Sequence, residues 1–232
     1  QSKDKSVISP MTLILTAFAP VTDATKTLTP ELKDLEDTVL VRIDLSQSKF
    51  RLGASILAQV YSQLGDVPAD LDDAEDLKAF FSLIQQWNAA GKLLAYHDIG
   101  DGGLLATVAE MMFTARLGVD LQLTTDRVLP ELFAEEIGAV LQLRGSDWAK
   151  ISAHLAGTPL ANTIQQVGTV NRSDTLTVAG LSLARAELQQ AWAGVSHQIQ
   201  RQRDNSDCAD QEFALITDTT HQGLIAQPTF DL

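Results

Sequence analysis

The chain has one cysteine in 232 residues, Cys208, so no internal disulfide can brace the fold. It is also poor in positive charge, with 17 Lys and Arg against 30 Asp and Glu and a formal net charge of −13. That balance speaks against a nucleic-acid binder, whose affinity rests on Lys and Arg that release counterions from phosphates. A phosphate ligand would have to be reached through backbone N–H groups or a metal ion. Long apolar runs are missing as well: the stretch Leu13 to Ala19 is broken by Thr16 and stopped by Pro20, well short of the ~18 residues that suggest a membrane span. The first turns of the chain lack the ordered basic, apolar and cleavage regions of a signal peptide. Together these absences read as a soluble protein of the reducing cytoplasm. What is present is apolar content, 45% of residues, enough to fill the core of one large domain or two small ones.

Periodicity separates strands from helices. Leu13 to Phe18, Thr38 to Leu45, Leu93 to Tyr96, Val119 to Leu123, Ala139 to Leu143, Thr163 to Val170 and Thr175 to Val178 read as strands, with Asp23 to Asp37 as a connecting loop. Leu52, Ile56, Leu57, Val60, Tyr61 and Leu64 share one face of an expected helix that ends near Gly65. Leu77, Phe80, Phe81, Ile84 and Trp87 predict a second, whose start is favoured by the carboxylates of Asp70 to Asp76 and whose end lies near Gly91. Further helices are expected over Gly102 to Ala115 and around Ser146 to Leu155. Ser182 is expected to cap a long one in which Leu188, Trp192, Val195 and Ile199 form a narrow apolar stripe suited to docking. The pattern is α/β. Gln1 in place of an initiator Met, and a tail over 217–232 without a closing element, read as marks of a piece cut from a longer protein.

The most unusual local sequence is Tyr96-His97-Asp98-Ile99-Gly100-Asp101-Gly102-Gly103, with two carboxylates and three glycines between an apolar strand and an apolar helix. Glycines let backbone approach a ligand, and the first N–H groups of the following helix are natural anion donors. Asp98 or Asp101 could supply an oxygen to Mg²⁺ bridging to a nucleotide phosphate. As pattern alone the residues read more readily as ordinary turn chemistry, Asp serving as helix N-cap. Neither a dinucleotide fingerprint nor a P-loop is present, because the glycines are wrongly spaced and no Gly-Lys-Ser/Thr follows. The Asp70–Asp76 run is not an EF-hand: Ala74 and Glu75 occupy positions that need a ligand and a glycine, so a solvated helix start is the reading. Glu135 and Glu136 are adjacent, and their side chains should diverge instead of sharing a site. His154, His197 and His221 have no companions at zinc-ligand spacing, while His97 is either a satisfied structural histidine or a ligand contact. Cys208, flanked by Asp207 and Asp210, reads as an inert thiol.

That loop, continued by Thr107-Val108-Ala109-Glu110-Met111, resembles the large, single-chain bacterial phosphoribosylformylglycinamidine synthases. Ser9-Pro10-Met11-Thr12-Leu13, Ala17-Phe18-Ala19-Pro20-Val21, Lys26 to Pro30, Arg51 to Val60, Glu135 to Val140 and Arg201 to Asn205 are similar to stretches of the same enzymes in the same order. The resemblance implies the second AIR-synthetase-like C-terminal domain over residues 1–181, a mixed sheet with packed helices. Residues 182–232 would then be a helical connector and tail toward a glutaminase domain beyond residue 232.

In that family the whole enzyme is an ATP-dependent ligase of purine biosynthesis. It activates an amide oxygen by phosphorylation and displaces the phosphate with ammonia from glutamine. The resemblance places Asp98 at the family's Mg²⁺ ligand. It places Gly100 where relatives carry a serine that contacts the nucleotide, so that here only a backbone contact remains. The site would be an auxiliary ATP/ADP site shared with a preceding nucleotide-binding domain, and no catalytic residue is assigned within this chain. The isolated chain is expected to be inactive, and surfaces left bare by the missing domains suit a homodimer. The alternative reading is a non-catalytic assembly domain of the same enzyme.

Overall fold

The fold is given by a computed structural model that describes residues 13–21, 23–156, 159–220 and 229. The expectations placed on Ser9 to Thr12 and His221 lie outside the described residues. Seven strands, β1 (Thr38–Asp44), β2 (Leu93–Asp98), β3 (Gly118–Leu121), β4 (Gly138–Arg144), β5 (Ile164–Asn171), β6 (Thr175–Val178) and β7 (Leu181–Ala184), form one sheet in the order β2-β4-β1-β5-β3-β6-β7. All neighbouring pairs are antiparallel except β3 with β6, so the sheet is mixed. The helices are α1 (Ile56–Val60), α2 (Ala74–Ala89), α3 (Gly103–Ala115), α4 (Val128–Phe133), α5 (Gly145–Leu155), α6 (Arg185–Arg203) and α7 (Ser206–Ala214). The architecture is α/β, and no helix among the described residues is long and apolar enough to cross a membrane.

Strand alternation divides the core into two layers. On β4, Val140 joins Leu40, Leu104, Val108, Met111 and Met112 under α3 and α4, whereas Ala139, Leu141 and Leu143 join Val41, Ile43, Phe80 and Ile84 under α2 and α5. Each fully buried Leu or Met contributes roughly 1.5–3 kcal/mol by leaving water. Edge strand β2 breaks this rule once. Leu93 belongs to the α2 layer and Ala95, two residues on, to the α3 layer, because the register slips between them. The bulge reverses the phase of the strand's end, so Tyr96 packs toward α2 and His97 reaches α3.

One polar cluster is sealed in the α3 layer. Arg42 on β1 and Glu131 on α4 pair at 3.0 Å with side chains 3% and 0% exposed, and Thr124 and Thr125 donate to Glu131 through both hydroxyls and amides. Burial pushes the Glu131 carboxyl up, but the threonine donors and the Arg42 charge outweigh it and hold the group below its ordinary range.

Three sequence expectations are corrected. Leu13 to Phe18 is not a strand: it is extended without a strand partner and its side chains are exposed, Phe18 at 93%. The helix expected over Leu52 to Leu64 shrinks to α1, because Ala54 and Ser62 take left-handed backbone and the N–H groups of Gly53 and Ala54 bond to Val67 and Leu64 carbonyls, turning the segment into a loop. Its apolar stripe is therefore covered only in part: Leu52 and Leu57 are half-buried, and Val60, Tyr61 and Leu64 are exposed. Ser182 does not cap α6; it pairs with Thr177 inside β7, and the helix starts three residues later with Ala184 at its N-cap. Elements that periodicity did not suggest are β7, the six-residue α4, and α7, capped by the Asn205 side chain.

Candidate functional site

The β2–α3 junction presents Asp98 at the end of the edge strand, its carboxylate 79% exposed. The backbone there is fixed by the Ile99 amide, which donates to the Gly138 carbonyl at 2.9 Å, and by the Gly103 amide, which donates to the Gly100 carbonyl at 3.0 Å. Gly100 and Asp101 are exposed, and a side chain added at Gly100 would meet nothing within 4 Å. Gly103 is the opposite case: with φ of +68° it sits against the backbone of Leu132, Phe133 and Ala134, where a Cβ would come within 2.7–2.8 Å. Glycine is what lets the start of α3 press against the end of α4.

The two readings of the Gly-Asp-Gly-Gly turn can now be separated. Asp101 does not cap α3; the N-cap is Gly102 at φ of +84°, without a side-chain cap bond. The missing acceptor is supplied from a distance by Glu135, whose Oε1 takes the Gly102 amide at 2.9 Å and the Ile56 amide, at the start of α1, at 2.8 Å. Of the amides around the helix start, those of Gly102 and Gly103 are therefore already engaged. Glu136 turns the other way. It receives the Arg51 amide, Nε at 2.9 Å and Nη2 at 2.7 Å, while Asp72 meets the same guanidinium. Hydrogen bonding to Glu136 holds the Arg51 guanidinium above its ordinary range, against its partial desolvation. The adjacent glutamates thus diverge as expected, each tying a loop to the 134–137 segment. Asp72 and Asp73 take up Lys49, Arg51 and the Glu75 amide, the solvated helix start foreseen for that run.

His97 is held on both sides. Its Nδ1 lies 2.8 Å from the Asp98 carbonyl oxygen and its Nε2 2.8 Å from Glu110 Oε2 on α3, and Glu110 Oε1 accepts the Trp192 indole N–H of α6 at 2.9 Å. The sequence reading missed this chain. The available signal was Glu110 itself, the one charged residue between Gly103 and Ala115. His197 stacks on Phe213 at 4.1 Å and bonds Asp210, far along α6, and Cys208 is exposed on α7.

Among the described residues no group of three or more His, Cys, Asp or Glu converges to hold a metal ion. A closed protein cage for zinc or calcium is therefore not built here. Magnesium is different, because it commonly takes one or two carboxylates and completes its shell with water and phosphate oxygens. An exposed aspartate at a strand end beside an open glycine fits that use. Asp98 would be this chain's ligand, and the ion would supply charge neutralisation between carboxylate and diphosphate.

Residues 43–181, more than half of the chain and including this whole junction, match the family described as AIR synthase related protein, C-terminal domain. The chain belongs to that family. Among solved structures, this AIR synthase related domain is similar to Thermotoga maritima PurL complexed with FGAR, with a TM-score of 0.53 at 12% identity over 71% of this chain and 30% of that one. It is similar also to phosphoribosylformylglycinamidine synthase II from T. maritima, with a TM-score of 0.51 at 11% identity over 70% of this chain and 27% of that one. A weaker likeness is to E. coli HypE, a hydrogenase maturation protein, with a TM-score of 0.45 at 17% identity over 68% of this chain and 51% of that one. At these identities the two T. maritima likenesses establish the fold. The AIR synthase related chain spans less than a third of either T. maritima protein.

Proposed function

We propose that this chain is a domain of an ATP-dependent phosphoribosylformylglycinamidine synthase, a ligase of cytoplasmic purine biosynthesis, and that Asp98 contributes one oxygen to a magnesium–nucleotide site. The observation that carries the reading is the exposed Asp98 carboxylate at the β2 end, next to the engaged Gly102 and Gly103 amides. With the Gly102 and Gly103 amides engaged, a divalent ion on Asp98 gives a phosphate a way to this loop that does not depend on them, and Gly100 leaves room for nucleotide against its backbone. The domain membership and a likeness in fold to T. maritima PurL complexed with ADP support the nucleotide part.

In this reading the remaining magnesium ligands and most nucleotide contacts come from a nucleotide-binding domain that precedes this one. α6 and α7 lead toward a glutaminase domain that supplies ammonia. The site is auxiliary: it holds a bound nucleotide in place and no residue of this chain reacts. The test is calorimetric titration of Mg²⁺–ADP onto this chain joined to the preceding nucleotide-binding domain. Asp98→Ala is expected to weaken binding at least about tenfold, the loss of roughly 1.4 kcal/mol. Unchanged affinity would favour an assembly module whose glycine loop merely shapes a domain interface.

A further inference from the structure

The proposed metal role uses the Asp98 carboxylate and leaves unexplained why the residue before it is wired to a distant helix. The wiring runs in a line. The Trp192 N–H on α6 donates to Glu110 Oε1 at 2.9 Å, Glu110 Oε2 lies 2.8 Å from His97 Nε2, and His97 Nδ1 lies 2.8 Å from the Asp98 carbonyl. The Asp98 carbonyl can only accept, so Nδ1 is the donor of that bond, and Nε2 is left to pair with Glu110. The two Glu110 oxygens are used one each, so its rotamer is set by His97 and Trp192 together. Trp192 is in turn steadied by Phe113 of α3, ring centroids 5.9 Å apart.

The consequence concerns the Asp98–Ile99 peptide. Its N–H is held by Gly138 of β4 and its C=O by the His97 ring, so both ends of the peptide unit that orients the Asp98 backbone are fixed. The β4 side belongs to the rigid sheet. The other side depends on α6, a helix whose far stripe, Val195 and Ile199, is exposed and free of the core.

We propose that His97 is a positioning residue for the Asp98 site and that α6, acting through Trp192 and Glu110, sets the geometry of the metal loop. A displacement of α6 then changes how well Asp98 meets its ion. The inference rests on the reading of Asp98 as a metal ligand, and it identifies the helix through which that site is regulated.

The experiment uses the ¹⁵N-labelled 232-residue chain and starts from the helix end. Trp192→Phe keeps an aromatic ring beside Phe113 and removes the N–H together with the five-membered ring that carries it. The Asp98 and Ile99 amide resonances are expected to move in this variant and to stay in place in Val195→Ala, an exposed change three residues along the same helix. Glu110→Gln should move the same amides. Mn²⁺ alone is then titrated and its paramagnetic broadening of residues 98–100 followed, with Asp98→Asn as the baseline for non-specific binding to an acidic chain. Trp192→Phe should raise the half-broadening concentration about two- to tenfold with an unchanged melting temperature.

Each result decides one point. Stationary Asp98 and Ile99 amides in Trp192→Phe overturn the link, whatever the metal does. Moving amides with unaltered Mn²⁺ broadening overturn control of the metal by α6. Broadening in the wild type that is no stronger than in Asp98→Asn overturns the metal reading itself, and with it the regulatory claim, while the amide shifts still report on the link.

Discussion

Gly100 and Glu131 show how differently single residues bear on this protein. Gly100 sits in open space, so Gly100→Ser adds a hydroxyl that displaces nothing. The expected outcome is an unchanged melting temperature and tighter Mg²⁺–ADP binding, by about two- to tenfold if the hydroxyl makes one net hydrogen bond of 0.5–1.5 kcal/mol. Calorimetry on the chain joined to its nucleotide-binding neighbour reads this out. Glu131 acts on stability instead. Its folded carboxyl ionises below the ordinary glutamate value of 4.5, so its contribution is fully present above that pH and is lost as pH falls through the folded value. Urea midpoints measured from pH 7 downward should therefore drop below pH 4.5. In Glu131→Gln the chain should begin about 3–5 kcal/mol less stable, because Arg42 is left buried and unpaired, and its acid limb should be flatter. How Asp98 would be used was legible in the sequence only through a family resemblance. The residues that shape its loop, Glu135, Glu110 and Trp192, lie 12 to 94 positions away and follow no local spacing.

At the scale of elements, strand alternation and 3.6-residue periodicity predicted β1, β4, β5, β6, α2, α3 and α5 because each buries a continuous face against the sheet. The same logic misled at Leu52 to Leu64, whose apolar stripe has the right spacing but is left exposed at Val60, Tyr61 and Leu64, and at Leu13 to Phe18, an apolar stretch without a neighbouring strand among the described residues. Pattern reports what a segment could bury, and a helix or strand forms only where something covers it. The β2 bulge was equally out of reach, although it decides that His97 faces α3. The junction of α3 with α4 carries a prediction of its own. Gly103→Ala places a methyl 2.7–2.8 Å from three backbone atoms at a φ of +68°, and should cost at least about 1–3 kcal/mol. The measurement is a denaturant midpoint, with Gly100→Ala as the control that should stay near wild type.

For the molecule as a whole, the sheet, its two core layers and the loops tied by Glu135 and Glu136 leave the Asp98 carboxylate exposed at an edge. Apolar residues around α1 and at 13–21 are also exposed, and the chain spans less than a third of the similar T. maritima proteins. Everything then turns on whether an Asp98 oxygen touches the ion. The most direct test replaces that oxygen with sulfur, as Asp98→Cys in a Cys208→Ser background that removes the other exposed thiol. Nucleotide binding by this domain with its neighbour is measured in Mg²⁺ and in Cd²⁺, a softer ion that prefers thiolate. The account predicts that Asp98→Cys loses Mg²⁺-dependent ADP binding and regains it in Cd²⁺. Binding in Mg²⁺ as tight as with aspartate, or no recovery in Cd²⁺, would contradict it.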